Sequence, residues 1–152
     1  MYLKEYLKKF DNKKLKIFVD MDGVIADYEV GMPCDFDKKR PLYSSISKLE
    51  EISKMANVEL YILSITRMDE GYEEKNIWLD KYAPFFKKEN RVIISRESNN
   101  FVPSPELKSN FLKELKRDGS IFMVIDDDPI VLHKIQNTSK DIVLLKDTAL
   151  VD

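Results

Sequence analysis

The sequence predicts an α/β fold: one parallel sheet of five strands covered on both faces by helices. Three observations carry this. Short continuous apolar runs alternate with segments of helical periodicity. The runs are all of strand length, and several stop at a polar residue. Proline and glycine punctuate the joins between segments, where element boundaries are expected. At 152 residues the chain is expected to form a single domain over 1–152, with enough length to bury a core without staples.

The elements follow in order. Leu3, Tyr6, Leu7 and Phe10, together with Tyr2, recur at helical spacing among lysines and predict an amphipathic N-terminal helix within 1–14. Leu15–Val19 reads as a first strand that stops at Asp20. Ile46, Leu49 and Ile52 define a helix over 44–56. Val58 to Leu63 is a second strand ending at Ser64. Residues 69–88 read as a helix, with Ile77, Trp78, Tyr82 and Phe85 on its apolar side and Pro84 breaking or ending it. Val92–Ile94 is a third strand. Pro105 opens a helix that Gly119 closes. Ile121–Ile125 is a fourth strand ending at Asp126, Pro129 starts a further helix, and Ile142–Leu145 is a fifth strand.

Composition narrows the chemistry. Lys plus Arg is 25 and Asp plus Glu is 27, for a net charge of −2, which argues against a chain held on nucleic acid by bulk charge. One cysteine, Cys34, and one histidine, His133, cannot build a zinc or other His/Cys metal cluster. Cys34 has no histidine near it in sequence to activate a thiolate. The lone cysteine, and an N-terminus with lysines but no apolar h-region, lead us to expect a cytoplasmic protein. No apolar run reaches the roughly 18 residues needed to span a bilayer. Carboxylates are plentiful, so metal chemistry here is expected to use oxygen ligands and Mg²⁺.

In a parallel sheet, ligands bind at the carboxyl ends of the strands. Asp20-Met21-Asp22-Gly23 follows the first strand, Ser64 and Thr66 the second, and Asp126-Asp127-Asp128 the fourth; Lys108 opens the helix before the fourth. Carboxylates from two strands at one edge repel unless a cation lies between them. Beside such a cation, a hydroxyl and a lysine make a pocket for a phosphate dianion. One aspartate can then attack phosphorus, and a second, two residues on, can protonate the leaving oxygen and deprotonate water. Gly23 permits the sharp turn of chain that must follow the strand. Thr66 and Arg67 compete with Ser64 for the phosphate contact, and Lys113 stands behind Lys108. Asp128 fits a helix N-cap before Pro129 better than a ligand. Trp78 suits the core, and His133 the surface.

The ordered motifs IFVDMDGVIADYE, LYILSITR, ELKSNFL and FMVIDDDP span about Ile17 to Leu132 and resemble the haloacid dehalogenase-like (HAD) phosphohydrolase superfamily. The resemblance implies a three-layer Rossmann-like fold with the first strand central. It implies an Mg²⁺-dependent phosphomonoesterase in which Asp20 is nucleophile and metal ligand. Asp22 would be the acid/base, with its backbone carbonyl on the metal. Ser64 and Lys108 would bind phosphate, and Asp126 and Asp127 would complete the metal shell. DMDGVIADYE and EEKNIWLDKYAPFFKKENRVIIS are similar to the 5′(3′)-deoxyribonucleotidase branch. In contrast with that branch, the segment 24–43 leaves room for only a minimal cap or flap. The expected substrate is a phosphorylated molecule, a nucleotide, a nucleic-acid end or another large substrate, and a homodimer is expected to cover the open site. The alternatives are a non-catalytic phospho-acceptor or binding module, or a regulatory subunit with a vestigial site. A P-loop kinase is excluded, because no GxxxxGK[ST] pattern occurs.

Overall fold

The computed structural model describes residues 3–27 and 36–151. The helix α1 (Leu3–Leu7) runs into a 3₁₀ turn at Lys8–Phe10, so the N-terminal helix stops short of residue 14. Strand β1 (Leu15–Val19) follows, then a 3₁₀ turn at Phe36–Lys38 and helix α2 (Tyr43–Ser53). Next come β2 (Val58–Thr66), α3 (Gly71–Tyr82), β3 (Arg91–Ser95) and α4 (Ser104–Glu114). The chain closes with β4 (Ile121–Asp126), α5 (Pro129–Thr138) and β5 (Val143–Lys146).

All five strands are parallel, in the order β3-β2-β1-β4-β5. The predicted α/β sheet with a central first strand is therefore present. Successive side chains on a strand face opposite ways. Ile17 and Val19 join one core with Leu49, Ile52, Trp78 and Leu79, while Phe18 joins a second with Leu112, Val131 and Ile135. The sheet is thus the middle of three layers, with α1, α2 and α3 on one face and α4 and α5 on the other. None of the helices is long and apolar enough to cross a membrane among the described residues.

Several boundaries differ from the sequence reading, each for a local reason. β2 continues to Thr66, because Ser64, Ile65 and Thr66 pair with Ile93, Ile94 and Ser95 of β3. Ser64 is therefore inside the sheet, not at a strand end. α3 ends at Tyr82, since Ala83 leaves the helical region and Pro84 cannot donate the next backbone bond. Its buried stripe is Gly71, Lys75, Trp78 and Leu79, and Ile77 faces solvent at 55% exposure. α4 ends at Glu114 with Leu115 as C-cap, so Gly119 does not close it. Gly119 instead takes a positive φ of 87° in the loop before β4. Asp128 is the expected N-cap of α5, its carboxylate accepting from the Ile130 amide at 2.8 Å.

The segment 24–43 is described in part; residues 28–35, Cys34 among them, lie outside the described residues. The rest is tied down at both ends. The amides of Ile25 and Ala26 donate to the Met21 carbonyl at 3.0 and 2.9 Å, and the Asp27 amide donates to Arg40 at 2.8 Å. Ala26 bridges Pro41, and Trp78 Nε1 donates to the Lys39 carbonyl at 3.0 Å. Trp78 therefore fastens the flap to α3 as well as filling the core. Trp78→Ala is expected to cost about 3–5 kcal/mol, whereas Ile77→Ser is expected to change stability by less than about 0.5 kcal/mol. Urea denaturation of the two variants checks the assignment of the two faces.

Candidate active site

The parallel register builds the site. One step beyond the pairing of Val19 with Ile125, Asp20 stands beside Asp126, and its amide donates to the Ile125 carbonyl at 3.0 Å. Asp20, Asp22, Asp126, Asp127 and Lys108 line one cavity of about 360 Å³ at the carboxyl edge of the sheet, with Ile65, Ser104, Asp128 and Val131. Five of the seven residues singled out from the sequence thus meet in one place.

Lys108 lies one turn inside α4 and does not open it. From there its ammonium sits between two buried carboxylates, 3.0 Å from Asp20 and 2.6 Å from Asp126. The second Asp126 oxygen accepts the Asp128 amide at 2.9 Å. Burial pulls the Lys108 ammonium down, but Asp20 and Asp126 together outweigh it and hold it above its ordinary value. For Asp20, burial raises the carboxyl, Lys108 lowers it and Asp126 raises it again, leaving it at about 7 instead of 3.8.

Asp127 reaches the same centre by close packing on the loop after β1. Gly23 has a φ of 80°, and a Cβ there would lie 2.0 Å from Asp127 Oδ2. Glycine is therefore required at this position twice, by backbone conformation and by space. Gly23→Ala is expected to displace Asp127, weaken divalent-cation binding at least about tenfold and lower the melting temperature. Isothermal titration with Mg²⁺ alongside thermal unfolding checks both.

Two lysines absent from the sequence reading hold Asp22. Lys75, on α3 and only 3% exposed, donates to Asp22 Oδ2 at 3.2 Å, to Ser64 Oγ at 2.6 Å and to the Ile65 carbonyl at 2.8 Å. Its three ammonium hydrogens are matched by three acceptors. Lys39, from the flap, donates to Asp22 Oδ1. Burial raises Asp22, but Lys75 and Lys39 together bring it below its ordinary value. Burial also lowers the Lys75 ammonium, against the pull of Asp22 and Asp20. A signal for Lys75 was present in the sequence: it stands four residues after Gly71 and three before Trp78, on the stripe that faces the sheet.

Ser64 and Thr66 do not line the cavity. Ser64 is fully buried and its hydroxyl faces Lys75. Thr66 donates to the Met68 carbonyl at 3.1 Å and packs on Gly71, where a Cβ would lie 1.8 Å from its oxygen. Ser104, the first residue of α4, is the hydroxyl-bearing side chain on the cavity wall.

Carboxylate oxygens of Asp20, Asp126 and Asp127 lie within 4.8 Å of one another. The donor set is all oxygen, which suits Mg²⁺. With Asp20 ionised, four carboxylates would face three ammonium groups, from Lys108, Lys75 and Lys39. A divalent cation would reverse that small negative excess and suit the cavity to a phosphate dianion. Without metal, the native Asp20 keeps a proton that the unfolded chain loses above its ordinary 3.8. Its contribution to stability is therefore full below that pH and is lost as pH rises to about 7. We expect Mg²⁺ to raise the melting temperature more at about pH 8 than at about pH 5, where the proton competes with it. Asp20→Asn should flatten this difference in a thermal-shift series.

The sequence matches no protein-family model and no curated protein. Solved structures do match. Two chains from structures of the Pnkp1/Rnl/Hen1 RNA repair complex align with TM-scores of 0.67 and 0.69 at 16% and 14% identity. These alignments cover 89% and 88% of this chain but 43% and 46% of those chains, so this chain spans less than half their length. The HAD domain of the effector protein Lem4 from Legionella pneumophila aligns with a TM-score of 0.56 at 16% identity, covering 88% of this chain and 85% of that one. The class C acid phosphatase from Bacillus anthracis aligns at 0.53 and 17%, covering 97% and 72%. The molecule is thus a three-layer α/β protein with a carboxylate–lysine centre at the carboxyl edge of its sheet. More particularly, it has the fold of the HAD-domain proteins.

Proposed function

We propose that this protein is an Mg²⁺-dependent phosphomonoesterase that works through an aspartyl-phosphate on Asp20. The observation that carries this is the buried Asp20 at the end of the central strand, held by Lys108 and facing Asp126 and Asp127, with Asp22 on the same cavity. Asp20, Asp126 and Asp127 would hold the ion. When bound, Mg²⁺ neutralises charge on the phosphoryl oxygens.

In the first half-reaction an Asp20 oxygen forms a bond to phosphorus as the ester P–O bond breaks, and Asp22 gives a proton to the departing oxygen. In the second, Asp22 takes a proton from water, the water oxygen bonds to phosphorus, and the Asp20–phosphorus bond breaks to leave phosphate and free carboxylate. Lys108 screens Asp20 from Asp126 throughout. Lys75 and Lys39 hold Asp22 by one oxygen each, which fixes its direction and favours the anionic form that the second step uses, while the first step draws on its protonated form.

The preferred substrates are nucleotides or phosphorylated nucleic-acid ends. The resemblance of the DMDGVIADYE run supports this, as does the fold shared with chains of an RNA repair complex. Hydrolysis of p-nitrophenyl phosphate should require Mg²⁺ and stop on chelation. Asp20→Asn should lower kcat by about a thousandfold or more. Asp22→Asn should lower it by about 10²–10⁴-fold, with the larger loss on alkyl phosphates, whose leaving oxygen needs the proton. Equal turnover by wild type and Asp20→Asn would refute the nucleophile assignment. A stable phosphoprotein formed from acetyl phosphate, without turnover, would establish the phospho-acceptor reading instead.

A further inference from the structure

Phe101 has a φ of 54°, and Asn100 before it a φ of 55°. Asparagine tolerates the left-handed region; a bulky aromatic residue there is a genuine outlier. Strain of this kind persists only where the surroundings enforce it. Here they do, through the backbone. The Phe101 amide donates to the Arg96 carbonyl at 2.7 Å, and the Arg96 guanidinium donates to the carbonyls of Phe101 and Val102 at 2.8 and 3.0 Å. Arg96 is itself fixed to the end of β2, its amide donating to the Thr66 carbonyl at 2.8 Å. None of these bonds uses the Phe101 side chain, and glycine or asparagine would satisfy them with less strain. The ring is half-buried and half-exposed, at 46% exposure, so part of it remains open to a ligand.

The ring's place in the fold supplies a reason. Phe101 precedes the cavity-wall residue Ser104 by three positions, at most about 11 Å of chain. Among the described residues the exposed large apolar side chains are Tyr43, Tyr72, Ile77, Phe101, Ile130 and Val151. All but Ile77 lie on loops or helix starts at the carboxyl edge of the sheet, around the candidate active site. Ile130 falls between the cavity residues Asp128 and Val131. Arg67, also exposed, sits in the adjoining loop, where its carbonyl accepts the Glu97 amide at 3.0 Å.

We propose that Phe101 is a specificity-determining residue that stacks on the base next to the scissile phosphate of a nucleotide or single-stranded nucleic-acid end. The proposal rests on the reading of Asp20 as the phosphate-transfer centre. An exposed aromatic ring and an exposed arginine on adjoining loops are the residue types that bind unpaired nucleotides, ring on base and cation on backbone phosphate. An aliphatic or peptide substrate needs no planar face held at a strained backbone angle.

The test compares wild type, Phe101→Asn and Phe101→Tyr on a phosphorylated oligonucleotide, on the same strand with an abasic terminal nucleotide, and on glycerol phosphate. Thermal unfolding should show Phe101→Asn folded at the assay temperature. This variant should raise KM for the base-bearing end about five- to a hundredfold, with kcat changed less than about twofold. The abasic end and glycerol phosphate should be unaffected, and Phe101→Tyr should restore the wild-type KM. An unchanged KM for the base-bearing end or an equal loss on the abasic end would overturn the proposal. If wild type hydrolyses none of these, the phosphatase reading fails separately. Anisotropy titration of the same oligonucleotide then decides: weaker binding by Phe101→Asn, restored in Phe101→Tyr, supports the stacking role, and equal affinity for all three overturns it.

Discussion

Lys108 carries its ammonium into the sheet edge, 3.0 Å from Asp20 and 2.6 Å from Asp126, with all three side chains buried. Two carboxylates on adjacent strands, out of water, repel strongly, and each alone bears a heavy desolvation cost. The lysine makes their proximity tolerable, and it can do so only from α4, which packs across that face of the sheet. The helix, the register of β1 on β4 and the charge pattern are therefore one constraint. Remove the ammonium and the strand ends that carry the acids no longer sit side by side at low cost. The same contact leaves Asp20 short of full compensation, which is why a cation suits the remaining space.

A second layer of control comes from the opposite side of the sheet. Lys75 reaches from α3 to Asp22 and Ser64, and Lys39 comes from the flap. Between them they hold each oxygen of Asp22. Asp20 and Asp22 are two residues apart, yet their surroundings push them in opposite directions: burial lifts Asp20, and the two lysines bring Asp22 down. In the metal-free site this order is the reverse of what the first step uses, an ionised Asp20 and a protonated Asp22, so a cation held by Asp20, Asp126 and Asp127 would have to favour the ionised nucleophile. Trp78 joins this to stability, because the indole that fills the core also fixes the backbone of Lys39.

The sheet and most of the acids were legible in the sequence because both depend on short-range pattern. An apolar run ending in Asp is a buried strand meeting a polar edge, and it located Asp20 and Asp126. Ser64 misled for the same reason. A polar residue after an apolar run reads as a strand end, but Ser64 is paired with Ile93 and buried against Lys75, a contact the run itself does not encode. Lys75 was hidden by its type: lysine on a helix is ordinarily solvated, and only its position on the Gly71–Trp78–Leu79 stripe marks it as inward. Ile77 shows the converse, an apolar residue counted into the core but carried to the surface by the helical turn. Asp127's dependence on Gly23 is a contact between segments about a hundred residues apart, and only the folded chain reveals it.

The two kinds of element at this site serve different ends. The groups assigned to the chemistry stand on strand ends, on helices or on the short Gly23 turn, where packing holds them to the small tolerances that proton and phosphoryl transfer demand. The groups that face outward, Phe101 and Arg67, stand on loops whose backbones are pinned by hydrogen bonds while their side chains meet solvent. In the proposed reading, these loops at the rim of the sheet are where a substrate is recognised. Phe101 keeps its left-handed backbone angle because Arg96 grips the carbonyls of Phe101 and Val102, so the loop that carries the ring is fixed to the end of β2. In the proposed reading, that anchoring sets an aromatic side chain at the rim against the substrate while the acids behind it carry out the transfer.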